Sequence, residues 1–369
     1  MTDCIIVGAG PAGGAAAYHL AKRGLSVLVL EKAALPRSKP CGGGVSPAIA
    51  AWFDFDFEPA IAAHVDQVRF TWQQGDPVQV RLRTEPMWMV QREVFDPFLL
   101  KQAEAVGATV QDQTSVTGLS FDGNQWQVTT NREVLTATYV IAADGAMGIC
   151  AKLLGLKGCG RSAIAASAYL NDAPSEPTLA QFDFGQVKNG FIWNFPQGDR
   201  TVVSAATMEG KGKERDLEQQ LRHYLGDRTA TIQPAAMNLW THQAPLHTQN
   251  ALLVGDSAGL ADPLLAEGIR PALWSGVKAA EAIAAAQAGD GDAIANYSQV
   301  IQASWGENMV LAQRVSGIFY KFPKLAYTVG IKQPFATTLM SKILCGQLTY
   351  SAVLDRAMTA LKKKLSPFS

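Results

Sequence analysis

The apolar pattern of this chain changes period several times, and the first change is the most informative. Residues 4–7 form an unbroken apolar run, as a buried strand does, and the run ends at Gly8-Ala9-Gly10-Pro11-Ala12-Gly13. A helix is predicted over 14–23 and a second strand running up to Glu31. Period-two alternation then predicts strands at 65–72 and 78–82. A helix is predicted over about 92–106, because Phe95, Phe98, Leu99, Ala103 and Val106 share one face. A strand at 110–114 follows, then a hairpin of 119–121 and 125–129 around Asp122-Gly123-Asn124.

Residues 139–143 read as a short buried strand ending at Asp144-Gly145, ahead of a helix through Leu154. From about 163 to 208 strands alternate, including 165–170 and 201–206, and between them lies Gly190-Phe191-Ile192-Trp193-Asn194-Phe195-Pro196. Phe191, Trp193 and Phe195 fall on one side of that strand. A helix over 214–225 and a loop come next, then a buried strand at 251–254 entering Gly255-Asp256-Ser257-Ala258-Gly259. An alanine-rich helix runs to Ala288, and amphipathic helices broken by Pro323 and Pro334 lead to a terminal Lys362-Lys363-Lys364-Leu365.

Composition sets the bounds. With 48% apolar and 17% charged residues the chain is globular, and its 369 residues predict one large or two interleaved domains. The 32 basic and 32 acidic residues balance, which argues against nucleic acid as a partner. The balance is uneven, since residues 319–369 carry eight Lys or Arg against one acid, Asp355. Five scattered cysteines without CxxC spacing point away from a disulfide framework or zinc site and toward a reducing, cytoplasmic compartment. The first strand follows Met1 almost at once, so no signal peptide is expected, and no run of about twenty apolar residues predicts a membrane span.

The opening unit carries the chemistry. Gly8 permits the tight exit from the strand, Gly10 lets backbone approach a pyrophosphate, and Gly13 lets the helix pack on the strand. The helix start offers N–H groups and the positive end of its dipole. Glu31 stands where an acid accepts from a ribose hydroxyl. These residues define a dinucleotide site, and by themselves they leave NAD and FAD equally open. Pro40-Cys41-Gly42-Gly43-Gly44 reads as backbone lying against a flat ring, with Cys41 nearby; a flexible surface loop is the alternative. Gly255-Asp256 is a second candidate nucleotide contact, and an aromatic stripe such as Phe191, Trp193 and Phe195 is most often core.

Together, GxGxxG with Glu31, Arg92, Asp144-Gly145 and Gly255-Asp256 resemble the FAD-dependent flavoprotein fold of p-hydroxybenzoate hydroxylase. Within that fold, Lys39-Pro40-Cys41-Gly42-Gly43-Gly44, the 190–196 segment and the 255–269 segment resemble the geranylgeranyl reductase family. The likeness covers most of the chain. It implies an α/β architecture: a discontinuous Rossmann-type FAD-binding domain (1–64, 91–162 and 245–290), an interleaved antiparallel-sheet substrate domain (65–90 and 163–244), and C-terminal helices (291–369). It implies FAD, held by Gly8, Gly10, Pro11, Ala12, Gly13, Glu31, Lys32, Gly43, Arg92, Asp256, Gly268 and Ile269. Glu31 would take the adenosine ribose, Arg92 would lie beside the FAD, Asp256 would hold the ribityl–pyrophosphate region, and the Gly268 and Ile269 N–H groups the pyrimidine edge.

The implied reaction is reduction of isoprenoid double bonds by hydride from reduced flavin. Phe191, Trp193 and Phe195 would wall the prenyl slot, and Cys41 would be proton donor or redox gate. The donor would be NADPH or a small protein such as ferredoxin. Lys321 and Lys324 beside Phe319, Tyr320 and Phe322 suggest peripheral contact with an anionic membrane, a solvated helical cap being the alternative. The chain departs from the family pattern at Phe191, where tyrosine is usual, and at Gln197, where lysine is usual. A flavin monooxygenase of aromatic or quinone-like substrates and a non-catalytic flavin-dependent lipid binder are the competing functions.

Overall fold

The computed structural model describes residues 2–210 and 212–355. The lysine-rich ending at 362–364 lies outside them, as does Met1. The first sheet is built on parallel strands in the order Ala251–Leu253, Val134–Ala142, Thr2–Val7, Val27–Leu30, Thr109–Gln111. Such strands are buried on both faces and so read as continuous apolar runs rather than alternation. The early half of Val134–Ala142 also pairs with the hairpin of Val116–Phe121 and Trp126–Thr130. Helices Pro11–Lys22, Arg92–Ala105 and Ile269–Gln287 pack together beside this sheet.

The second sheet has seven strands, in the order Thr231–Trp240, Gly160–Leu170, Arg200–Thr207, Gly190–Gln197, Leu179–Phe184, Gln67–Trp72, Gly75–Arg81. It is antiparallel except where Leu179–Phe184 runs parallel to Gln67–Trp72. Helix Glu214–Leu225 covers one face with Leu217, Leu221 and Tyr224. The other face turns Phe70, Phe182, Phe191, Trp193 and Phe195 toward the nucleotide-binding half. The α/β class with a Rossmann-type unit interleaved with a second sheet is therefore borne out.

Three elements differ from the sequence reading. The predicted strand at 65–72 is two strands, Ala63–Val65 joining a small sheet with Met87–Met89 and Gly44–Val45, and Gln67–Trp72 joining the large one. The predicted loop after residue 225 contains the ten-residue strand Thr231–Trp240. Pro234 and two alanines hide it, and its place at a sheet edge is where proline is tolerated. The helix after Asp144 is only Cys150–Leu153.

Helices Ala293–Ile301, Glu307–Lys321, Pro323–Ala326 and Pro334–Leu344 close the seam between the halves. Pro323 and Pro334 end one helix and open the next, because a proline at the first turn forfeits no hydrogen bond. Tyrosine hydroxyls fasten this layer: Tyr320 donates to the Leu264 carbonyl at 2.8 Å and Tyr350 to Asp262 Oδ2 at 2.7 Å. Among the described residues, no helix is long and apolar enough to cross a membrane.

Candidate active site

The opening turn is built by close approach. Gly8 has φ +109°, and a Cβ there would lie 2.3 Å from the Ala143 carbonyl oxygen; a Cβ on Gly13 would lie 2.0 Å from that of Gly8. Helix and strand therefore meet backbone to backbone, with Gly10 and Pro11 at the helix start. Glu31 braces the turn from the next strand: its Oε2 accepts from Ala9 N at 3.1 Å and its Oε1 from Ala33 N at 3.0 Å. Arg37 Nε stands 3.1 Å from Glu31 Oε2.

Cations gather at the mouth of this turn. A Cβ on Gly10 would face Arg37 Nη2 at 3.7 Å and Arg92 Nη2 at 3.8 Å. Arg92 is buried and held in bidentate fashion by Asp96, both bonds being 2.7 Å. Burial is the largest influence on Arg92 and opposes its charge, but Asp96 and the Cys41 side chain outweigh it and raise the guanidinium above its ordinary range. Lys39 lies close by. Burial and then Arg92 push its ammonium down, while Asp256 and Asp96 pull it up. Burial pushes the Asp256 carboxyl up, against Lys39 and Arg92.

The two Asp-containing turns are joined. Ser257 Oγ donates to Asp144 Oδ1 at 2.8 Å and accepts from Gly145 N at 2.8 Å, while Asp144 Oδ2 accepts from Cys150 N at 2.8 Å. Asp144 is thus occupied in holding the fold, and Asp256 beside Ser257 is left facing the cavity.

Two cavities meet at Gly10, Lys39, Pro40, Ala143 and Gly145. The outer one, about 460 Å³, is lined by Gly8, Glu31, Lys32 and Arg37. The inner one, about 160 Å³, takes Pro11, Ala12, Cys41, Gly43, Arg92, Asp256, Gly268, Ile269, Trp193 and Phe195. Gly13 lies beneath the turn and lines neither. Phe191 also lines neither: it stacks on Tyr320 with ring centroids 6.2 Å apart and walls a third, apolar space of about 20 Å³. That space shares Phe182, Leu265 and Leu344 with the inner cavity.

Glycine at 42 is required by the aromatic strand, since a Cβ there would fall 2.2 Å from Trp193 Nε1. Gln197 Nε2 donates to the carbonyls of Gly42 at 2.8 Å and Cys41 at 3.3 Å, and its Oε1 accepts from Arg200 Nε at 3.1 Å. Tyr169 Oη accepts from Cys41 N at 3.3 Å, and Cys41 Sγ accepts from Gly43 N at 3.4 Å. Sequence reasoning gave no role to Lys39, Arg37, Tyr169 or Gln197. Arg37 and Lys39 had a visible signal, two cations between prolines just after the nucleotide unit; Gln197 was visible only as a departure from the lysine usual there, and Tyr169, on a strand far away in the chain, had none.

A free helix start with cations before it, an outer lobe carrying Glu31 and a narrow inner lobe fit an extended dinucleotide with a flat ring. Fold and site define an FAD-dependent oxidoreductase: the family profile described as FAD binding domain matches residues 1–300, and the chain belongs to that family. FAD is its cofactor. Within that family the chain is similar to proteins named for the reduction of geranylgeranyl chains. It is 30% identical to an uncharacterised protein of Methanosarcina barkeri over 89% of this chain and 82% of that one. It is 29% identical to the digeranylgeranylglycerophospholipid reductase of Methanocaldococcus jannaschii, over 76% of each chain. A geranylgeranyl bacteriochlorophyll reductase-like protein from Thermoplasma acidophilum shares the fold, with TM-score 0.79 at 22% identity over 98% of this chain and 96% of that one.

Proposed function

We propose that the protein reduces carbon–carbon double bonds in an isoprenoid chain, drawing electrons from NADPH or a ferredoxin-like protein. The observation that carries this reading is the inner cavity: the Cys41–Gly44 backbone on one side, Trp193 and Phe195 packed against it, and apolar space continuing behind. The relatives named for reduction of geranylgeranyl chains support it.

The residues divide the work. Gly8, Gly10 and the helix start at Pro11 and Ala12 receive the pyrophosphate, with Arg37 and Arg92 supplying charge and Gly13 permitting the turn. Glu31 takes the adenosine ribose, and Lys32 lies on the same wall. Asp256 and Lys39 hold the ribityl–pyrophosphate stretch at the waist between the cavities. Gly268 and Ile269, where helix Ile269–Gln287 begins, would offer backbone N–H groups to the pyrimidine edge, and Gly43 would lie along the ring. FAD, once reduced, supplies the hydride.

Trp193 and Phe195 align the prenyl chain and exclude water, and each buried CH₂ adds about 0.8 kcal/mol to its affinity. Phe191 sets the far end of that space. Cys41 Sγ lies on the same wall, within reach of the Arg92 guanidinium, as the group that would donate the proton or gate the redox step. The decisive test is anaerobic mixing of the reduced protein with geranylgeranyl lipids and mass spectrometry of the product. A gain of two hydrogens per double bond is expected. Oxygen-dependent hydroxylation would make it a monooxygenase instead, and no substrate-dependent reoxidation would make it a binder.

A further inference from the structure

The outer side of the C-terminal layer carries an apolar ladder that none of the described residues covers. Val315, Ile318, Phe322, Leu325 and Val329 recur at alternating steps of three and four residues along Glu307–Lys321 and the helical turns after it. All are exposed, Ile318 at 68% and Leu325 at 62%. The inner side of the same segments, at Ser316, Tyr320 and Tyr327, is buried and fastened by hydrogen bonds. A helix layer polar outside and apolar inside would need no partner; this one is apolar on both.

Charge says what covers it. Residues 308–354 contain no Asp or Glu and five basic residues, Arg314, Lys321, Lys324, Lys332 and Lys342. Lys332 is paired with Asp76, while Arg314, Lys321 and Lys324 are exposed between the rungs of the ladder. Apolar rungs interleaved with cations match the interface of an anionic bilayer, where side chains enter the acyl boundary and ammonium groups meet lipid phosphate. We propose that this face docks the protein on an anionic lipid surface. Directly beneath it, Phe319, Tyr320 and Ile331 wall the small apolar space that adjoins the inner cavity. Resting on the reading of an isoprenoid substrate, the docked face is then the side from which a prenyl chain leaves the lipid layer.

The test is flotation of the FAD-loaded full chain with phosphatidylcholine vesicles, with and without phosphatidylglycerol, at low and high salt. The protein is expected to float with the phosphatidylglycerol vesicles at low salt. Ile318→Glu with Leu325→Glu is expected to lower the bound fraction about tenfold at any salt, and Lys321→Glu with Lys324→Glu to abolish the preference for anionic lipid. Absence of flotation by the unaltered protein, or equal flotation by both variants, overturns the proposal. So does an unaltered protein that is dimeric in solution, does not float, and becomes monomeric in the Ile318→Glu, Leu325→Glu variant. FAD content and turnover of a detergent-dispersed prenyl substrate are measured on the same samples. Flotation without turnover in any of them refutes the reductase reading and leaves the docking face standing.

Discussion

Gln197 Nε2 donates to the Gly42 carbonyl oxygen at 2.8 Å, so the strand bearing Trp193 and Phe195 also grips the glycine loop that faces them. The grip passes on to Arg200 and, through it, to Glu93 at 2.5 Å. Gln197→Leu keeps the volume and removes the donor, leaving the buried Gly42 carbonyl unsatisfied at about 1–3 kcal/mol and the half-buried Cys41 carbonyl at less, while Arg200 keeps Glu93. Turnover should fall about tenfold or more because the loop no longer sits squarely in the cavity. FAD affinity, set mainly by residues beyond this loop, should change far less. Parallel measurement of kcat and the FAD dissociation constant separates the two effects.

Gly10 and Gly13 should respond differently to the same methyl group. At Gly13 the Cβ collides with backbone 2.0 Å away, so Gly13→Ala should cost the apoprotein about 3 kcal/mol or more. At Gly10 the nearest atoms are at ordinary contact, 3.7 Å, so Gly10→Ala should fold normally. Its methyl group occupies the approach to the pyrophosphate, and FAD affinity should drop on the order of a hundredfold. Urea unfolding of the apoproteins and FAD titration check both halves.

Arg92→Leu strips the buried Asp96 of its bidentate partner, leaving the ion pair with Arg37 Nη1 at 3.3 Å. Breaking a buried pair from one side costs about 3–5 kcal/mol, and Arg37 should hold the loss near the lower end. Adding Asp96→Asn to that variant should recover part of it, since the uncompensated charge is then gone. A double-mutant cycle by urea denaturation gives the answer.

His19 should make the fold acid-sensitive. Burial, then Arg23, lowers its imidazole from 6.5 to about 4, while its ring packs on Phe53 at 5.1 Å. The folded state therefore favours the neutral ring. Its contribution is fully present above about 6.5 and is lost as pH falls toward about 4, because the unfolded chain takes up the proton first. His19→Gln should flatten the dependence of Tm on pH across that window relative to the unaltered protein.

Much of this was legible in the chain because the nucleotide unit is local. The turn, its helix and Glu31 span about one βαβ unit, and each glycine has a steric reason that needs no distant partner. Period also placed a strand over 190–196, observed as Gly190–Gln197, and the helix Glu214–Leu225 at the bounds observed. What the pattern concealed is non-local. Strand Thr231–Trp240 lacks alternation because it is an edge carrying a proline, yet Ala235, Ala236 and Met237 line the inner cavity. Phe191 shares a strand face with Trp193 and Phe195, but a common face does not make a common cavity; Tyr320, from a helix more than a hundred residues later, claims it. Gln197 and Tyr169 acquire their roles only when the second sheet folds over the glycine loop.

The inner cavity is walled by residues from Gly10 to Leu344, whereas the phosphate-binding turn is complete within the first strand and helix. During synthesis the anchor for the nucleotide thus leaves the ribosome well before the berth for its ring, which is finished only once residues through Leu344 are out. Cofactor loading therefore follows the emergence of the C-terminal layer, and a nascent chain stalled before that layer would come off the ribosome colourless.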